Sequence, residues 1–546
     1  MKLHKWHEPC SCKLEDWRLD HRGIEISYLR PEDASRCWWQ TQRRRRRWRS
    51  PTATTTPTTF ELHGRLKSLI FGLQRQPPGL EQPLLPCAVI FLCSRSYNAV
   101  VSGFQIETTS GEVPLNLGKL SKLKFVTLDF NNLEGALPPS LMNCTNLVEL
   151  RLGSNNLEGD ISMLDFSRLS QLTKLDQRKN NFTGTVPRNI YSCRSLKAIG
   201  LFGNHLEGQI EAEILSLKFL SFLSLGYNRF TNLTGAMKIL MSCKSLHALL
   251  LSGSFVGEGM PSDDDMVDFL GFQNLRLLSL ANSDLIGKIP LWLSKLKNLE
   301  ILALGSNQIT GPIPSWLGTL PRLFSISLLD NRISGEFPKQ LCQLPRLLYE
   351  PNIASQADQY EFELLVFSFK INTNQTFPMQ KLSFYTVTID LSNNNISGYI
   401  PVEIGQLQLL CWLSLHSNNF SGIISDQISH LKNLEVLDLS MNHLSGIIPS
   451  SLASLNFLKE FNASYNNLEG PIPTGTQLQS FNASAFEGNI KNFAVPHFQI
   501  SADQIRTWMQ ITRTTKTRAM GIINFHGFIF SLRWGSLWDF GESVVL

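Results

Sequence analysis

The chain lacks an uninterrupted apolar run of about 18 residues, the length a membrane-spanning helix needs. The nearest candidate, residues 520–532, is broken by Asn524 and His526. The apolar stretch Leu84–Cys93 is too far inside to be a leader, and the opening M-K-L-H-K-W-H-E-P-C has no apolar core, so no secretory signal peptide is expected. Charge is scarce: Asp, Glu, Lys and Arg make up 17% of 546 residues, which excludes a strongly acidic or disordered chain as a description of the whole. Ten cysteines are too few for a disulfide scaffold. Catalytic signatures are missing as well. There is no V-A-I-K, H-R-D or D-F-G set, no H-E-x-x-H and no G-x-S-x-G, so no enzyme is expected. His4, His7, Cys10 and Cys12 have no second ligand pair, so neither a metal nor a cofactor is expected.

The net charge of +5 is unevenly spread. Residues 1–100 carry 17 Lys and Arg against 9 Asp and Glu, residues 101–490 carry 27 against 33, and residues 491–546 carry 6 against 3. The basic character lies at the two ends, so the acidic middle is not a nucleic-acid binder. The run Arg43–Arg47 reads as a solvated basic stretch beside T-A-T-T-T-P-T-T.

The middle holds a repeat, L-x-x-L-x-L-x-x-N-x-L-x-G-x-I-P. Its Asn recurs at 131, 155, 180, 204 and 228, then at 307 and 331, then at 394, 418, 442 and 466, with Ser254 and Ser283 in the same slot of two looser copies. Most steps are about 24 residues, within the range of stacked-repeat architectures. These positions mark thirteen repeats, and G-E-V-P at 111–114 has the phase of a fourteenth. L-x-L is a short strand with alternate residues turned inward, and one turn cannot bury its apolar face alone, so neighbours must stack. The Asn amide both donates and accepts where the strand bends away. The fold is therefore an α/β-type repeat solenoid with a parallel β-sheet on its concave face. Cys144, Cys193 and Cys243 precede the similar segments C-T-N-L, C-R-S-L and C-K-S-L and read as buried, unpaired thiols at one repeated packing position. Asp263–Asp265 after Ser262 reads as a helix start rather than a calcium site.

One step, from Asn331 to Asn394, exceeds the period by about 39 residues, too many for an ordinary connection. Within it Gln359–Ile371 reads as a strand, followed by the turn N-T-N-Q-T. The insert either stiffens the solenoid or folds over the concave face to make a groove. Candidate contacts on that face are Phe130, Arg151, Phe202, Tyr227, Asp390, His416 and Asp438. Eight N-x-S/T sequons, at Asn143, Asn181, Asn232, Asn374, Asn395, Asn419, Asn462 and Asn482, suggest a secreted, glycosylated protein.

L-I-G-K-I-P (285–290), I-T-G-P-I-P (309–314), I-S-G-Y-I-P (396–401), L-S-G-I-I-P (444–449) and L-E-G-P-I-P (468–473) resemble the plant-specific class of leucine-rich repeats. Y-E-P-N-I-A-S-Q-A (349–357), E-L-L-V-F (363–367) and I-S-G-Y-I-P-V-E-I-G-Q-L, with S-L-M-N-C-T-N-L-V (140–148), G-F-Q-N-L (271–275) and A-F-E-G-N (485–489), resemble plant receptors for tyrosine-sulfated peptides and their kinase-less receptor-like relatives. The resemblance covers about residues 110–490. It implies a basic N-terminal segment (1–100), leucine-rich repeats (101–338), an island domain (339–386), further repeats (387–484) and a diverged tail (485–546). It also implies a cell-surface protein on the outer face of the plasma membrane, membrane-associated and acting through a co-receptor kinase in growth or defence. The implied ligand is an extracellular peptide, sulfated or not, added as an edge strand to the island. Phe367, Ser368, Phe369 and Lys370 would then meet the peptide, together with Asp390 and His416. A secreted inhibitor of a pathogen enzyme and a truncated receptor-kinase fragment stay open as alternatives. R-C-W-W-Q-T-Q-R at 36–43 does not match the family's N-terminal cap, and the residues after Gly488 lack the closing Cys, so an uncapped, poorly soluble apolar end is expected.

Overall fold

The computed structural model describes residues 110–489 apart from 268–270, 349–359, 370–375, 383–384 and 475–476, together with the backbone strands Ile24–Ile26 and Ala99–Ser102. The rest of the N-terminal segment, the C-terminal tail from 490, Lys370 and Asn374 lie outside the described residues.

Each L-x-L becomes a strand of about three residues, and the thirteen repeat strands together with Ile24–Ile26 and Ala99–Ser102 form one fifteen-stranded sheet in which every pairing is parallel. Its leucines fill a single core: Leu150, Leu152, Leu302, Leu304, Leu437 and Leu439 are all fully buried. Beyond each phase Asn the chain forms a second layer of short parallel strands, four from Ser110–Glu112 to Asn181–Thr183, two at Glu207–Gly208 and Arg229–Phe230, and seven from Ile286–Gly287 to Asn467–Leu468. The G-E-V-P phase is real, since Gly111 pairs with Leu133 in the same register by which Gly135 pairs with Leu157.

The asparagines hold the turns together. Asn155 Nδ2 donates to Leu152 O at 2.8 Å within its own repeat and to Leu128 O at 2.9 Å in the preceding one, while its Oδ1 accepts from Leu133 N at 3.0 Å. Each amide thus satisfies backbone groups of two repeats that the bend would leave buried and unpaired. Ser254 and Ser283 fill the same slot with shorter reach, and Ser254 Oγ donates to Leu225 O at 3.0 Å. The residue just before the phase position has positive φ throughout, from Phe130 (59°) to Tyr465 (53°). Non-glycine residues hold this left-handed conformation only because the ladder on both sides imposes it.

The ladder runs one step further than the thirteen phase positions. Asn489 Nδ2 donates to Ala463 O at 3.0 Å, and its Oδ1 accepts from Leu468 N at 3.0 Å. The step from Asn466 to Asn489 falls one residue short of the usual period, which hides it from a fixed-period reading. The expected bare apolar end is also corrected. Phe481 and Phe486 pack on Phe461 with ring centroids 5.9 and 5.6 Å apart, and Leu478 is fully buried, so the last core layer is covered. Residues 485–489 therefore belong to the array rather than to a diverged tail.

Cys144 and Cys193 are fully buried and Cys243 nearly so, and all three are unpaired, with burial pushing each thiol up to about 11. Ser262 and Asp265 make a reciprocal capping pair, Asp265 N donating to Ser262 Oγ at 3.2 Å and Ser262 N to Asp265 Oδ2 at 3.1 Å. The segment they cap is a turn rather than the expected helix.

One rung departs from the pattern. Gln177 stands where Leu152 and Leu201 fill neighbouring rungs, is fully buried, and neither side-chain amide atom has a protein hydrogen-bond partner. A buried, unsatisfied amide costs about 1–3 kcal/mol. Gln177→Leu is accordingly expected to stabilise the protein by roughly that amount, read as a melting temperature a few degrees higher in calorimetry.

Candidate functional site

The insert forms a hairpin in which Glu361–Phe369 pairs antiparallel with Thr376–Lys381. The solenoid closes beneath it without a gap. Ser325 pairs with Thr388, Ile333 N donates to Asn394 Oδ1 at 3.0 Å, and Asn394 Nδ2 donates to Leu328 O at 2.9 Å.

The first hairpin strand lies across the open face of the main sheet, several rungs before the point where it leaves. Alternate residues of a strand share a face, and here the even-numbered ones meet the sheet. Tyr360 packs on His247 (centroids 5.2 Å apart) and under the Arg276 guanidinium, 4.7 Å from its ring centre. Phe362 meets Phe222 at 6.3 Å. Leu364 sits over Gly200, where a Cβ would come within 2.9 Å of Leu364 Cδ1. Val366 and Arg178 line a void of about 30 Å³ below the strand. Every two residues move the hairpin one rung back along the sheet. Two residues span roughly 6.7 Å against a rung spacing of about 4.8 Å, so the strand must cross obliquely. Between these contacts Glu363 Oε1 accepts a hydrogen bond from Ser221 Oγ.

Beside the hairpin the open face is lined by small residues, Ser224, Gly226, Ser252, Ala281, Ala303 and Gly305, with Phe202 edge-on to Tyr227 at 5.0 Å. An extended backbone can approach closely where side chains are this short. Toward the N-terminal end charges are matched: Arg151 pairs with Asp129 at 3.1 Å, and Arg178 with Asp176 at 2.9 Å. Burial pushes Asp176 up to about 6 against the pull of Arg178. Toward the other end Asp390 is fully buried. Its Oδ1 accepts from Ser392 N and Oγ at 3.1 and 2.6 Å, while Oδ2 has no protein partner. Asp438 repeats the arrangement with Ser440, whose Oγ also meets His416 Nδ1 at 2.8 Å.

Burial raises Asp390 above its ordinary 3.8, with the Ser392 hydrogen bonds opposing. A carboxyl with a raised native value holds its proton where the unfolded chain has released it, so stability falls as pH rises from about 4 through the native value. Asp176 acts in the same direction, over a window of about 4 to about 6. These carboxyls are expected to lower the melting temperature between about pH 5 and about pH 7.5, while His247, held below its ordinary 6.5 by burial, opposes them over the lower part of that range. Asp390→Asn should narrow the difference.

Among the predicted contacts, Phe367, Ser368 and Phe369 fall in the hairpin strand, and Lys370 lies outside the described residues. Asp390, His416 and Asp438 sit together on the far rungs of the sheet, away from the rungs the hairpin covers, while Phe130 and Tyr227 are rim residues at the strand ends. Of the sequons, Asn143, Asn181, Asn232, Asn395, Asn419 and Asn482 are exposed. Asn232 is tied up as a helix cap: its Oδ1 accepts from Gly235 N and its Nδ2 donates to Gln209 Oε1. Asn462 accepts from Ser464 N and Oγ. Sequence reasoning missed Tyr360, His247 and Arg276, which carry no repeat signature. Among the described residues no acid–histidine–cysteine cluster has metal-ligand form, and no helix is long and apolar enough to cross a membrane.

Leucine rich repeat family models match residues 408–468, and residues 298–320 with 386–407. Receptor-like protein 3 of Arabidopsis thaliana is 45% identical over 203 residues, covering 37% of this chain and 27% of that protein. Phytosulfokine receptor 1 of the same plant is 40% identical over 75 residues, 14% of this chain and 7% of the receptor. The matched part spans about a quarter of the first relative and less of the second. Among solved structures, the ectodomain of the Arabidopsis receptor kinase HAESA in complex with an IDA peptide hormone aligns with a TM-score of 0.52 at 28% identity, over 74% of this chain and 63% of that one. With its stacked parallel strands and asparagine ladder, the chain is a leucine-rich-repeat solenoid whose homologues are plant receptor-like proteins.

Proposed function

We propose that this protein binds an extracellular peptide on the open face of its main sheet, beside the insert hairpin, and signals from the plasma membrane through a partner kinase. The hairpin itself supports this reading best. Its first strand is clamped to the sheet by Tyr360, Phe362 and Leu364, which holds a backbone edge beside a trough of small residues. A peptide adding to that edge gains main-chain hydrogen bonds, and the strand that would receive it contains the predicted contacts Phe367, Ser368 and Phe369. The similarity to a HAESA complex containing both IDA and the co-receptor SERK1 supports the partner kinase.

Sulfate recognition is the finer part of the reading, and the similarity to Phytosulfokine receptor 1 favours it. Arg151 and Arg178 are already paired with Asp129 and Asp176, so Lys370, the basic residue that follows Phe369 in the sequence, is the one we assign to a sulfate. Titration calorimetry with a panel of tyrosine-sulfated peptides and their unsulfated forms tests both parts. Binding that weakens on removing the sulfate supports the full reading. Equal binding of both forms removes sulfate recognition, and negligible binding of both removes the peptide reading.

A further inference from the structure

Open-face charge changes along the array. On the early rungs each Arg is matched by an acid. From Ile301 to Ser464 the open-face positions, those alternating with the buried leucines, hold no Lys or Arg, although they include Asp390, Asp438 and Glu460. Asp390 is the sharpest case. It is fully buried on the open face, between the core residues Ile389 and Leu391, and one of its carboxylate oxygens has no protein partner. On the next rung the half-buried Trp412 presents an indole Nε1, also buried without an acceptor, with Ser414 beside it in register with Asp390. Asp438 follows one rung later, its Oδ1 held by Ser440 like that of Asp390 by Ser392.

Buried polar groups are ordinarily satisfied, and leaving a carboxylate oxygen unpaired on one rung and an indole N–H unpaired on the next costs free energy that a partner would return. The missing partner for the Asp390 oxygen is a cation, whose charge Asp438 two rungs on would also favour, and the missing partner for the indole is a carbonyl. One residue of a peptide supplies both. Asp390 and Asp438 are two rungs apart, roughly 10 Å at the backbone, with the short Ser414 between them. We infer that Asp390, Asp438 and Trp412 form a subsite for a basic side chain of a bound peptide, the carboxylates taking its ammonium or guanidinium and Trp412 Nε1 a neighbouring main-chain carbonyl. This rests on the peptide-binding reading. It sets the direction in which a peptide lies, with its basic residue away from the hairpin.

The test is selection of short random displayed peptides on the immobilised full-length chain, followed by fluorescence anisotropy of the selected sequences. Expected is a shared Arg or Lys in the selected peptides, with affinity falling at least about tenfold on Asp390→Asn or Asp438→Asn. Asp438→Glu should retain more of the binding than Asp438→Asn, and each variant is checked for a single cooperative melt well above the assay temperature. Selected peptides without a basic residue, or binding indifferent to both Asn variants, would overturn the subsite while leaving peptide binding intact. Failure to select any peptide would overturn both.

Discussion

Asn418→Ala is expected to destabilise the array by about 3–5 kcal/mol, an unusually large effect for one polar residue. Asn418 is 6% exposed, and four hydrogen bonds converge on its amide. Nδ2 donates to Leu391 O at 2.9 Å and to Leu415 O and His416 O at 3.2 Å, and Oδ1 accepts from Ile396 N at 3.0 Å. Alanine leaves Ile396 N buried without its acceptor, at about 1–3 kcal/mol, and removes three further bonds at about 0.5–1.5 kcal/mol each, although Leu391 O, Leu415 O and His416 O keep donors in Asn394 Nδ2, Asn442 Nδ2 and Asn393 N. The loss falls on two repeats at once, because Leu391 and Ile396 belong to the preceding turn. In a stacked array stability is a sum of repeat and interface terms, so the break should divide it. Chemical denaturation followed by hydrogen exchange would show the rungs around 390–440 opening before those around 150–250. A uniform, small loss of stability would mean that leucine packing alone carries the stack.

Phe362→Ala is the second large effect, and it should be local. Phe362 is 1% exposed and meets Phe222, Tyr360 and Tyr385 with ring centroids 6.3, 5.5 and 6.3 Å away. Truncating a buried Phe costs about 3–5 kcal/mol. The solenoid closes under the hairpin through Ser325–Thr388 and Asn394, so the cost is borne by hairpin docking rather than by the stack. The expected result is fast amide exchange across 361–381, an almost unchanged global melt, and loss of peptide binding. Gly200→Leu approaches the same interface from the sheet side by filling the space Leu364 occupies. It should lift the hairpin by overpacking where Phe362→Ala releases it by underpacking. Hairpin amides that stay protected in both variants would rule out this docking.

Much of this fold is legible in the sequence because its information is local and periodic. The Asn phase and the L-x-L strands share one period, the buried cysteines recur at about every second repeat, and the structure places each where the period puts it. Asn489 escapes because its step is one residue short. The insert strand is legible from its β-branched and aromatic content, and it appears as Glu361–Phe369. Where that strand lands is not legible, since its contacts with His247, Phe222 and Gly200 lie more than a hundred residues upstream and follow no period. Gly200 carried a faint signal, being a residue without a side chain at an open-face position. The burial of Asp390 is of the same non-local kind: D-L-S at 390–392 and 438–440 reads identically, yet only the first Asp is fully buried.

The uninterrupted joint beneath the insert has a consequence for how such a chain can change over time. Adding or removing one residue between a strand and its Asn shifts that Asn off its carbonyls and damages two turns, while the return path of a repeat absorbs a single residue, as at Asn180 and Asn489. A change of similar size within the insert is absorbed as loop-closure entropy, about 0.6 kcal/mol for each doubling of length. Tolerance to insertion and deletion is thus concentrated in the part of the chain that lies over the open face. Such a protein can rewrite what it recognises while the frame that presents it stays under strict length control.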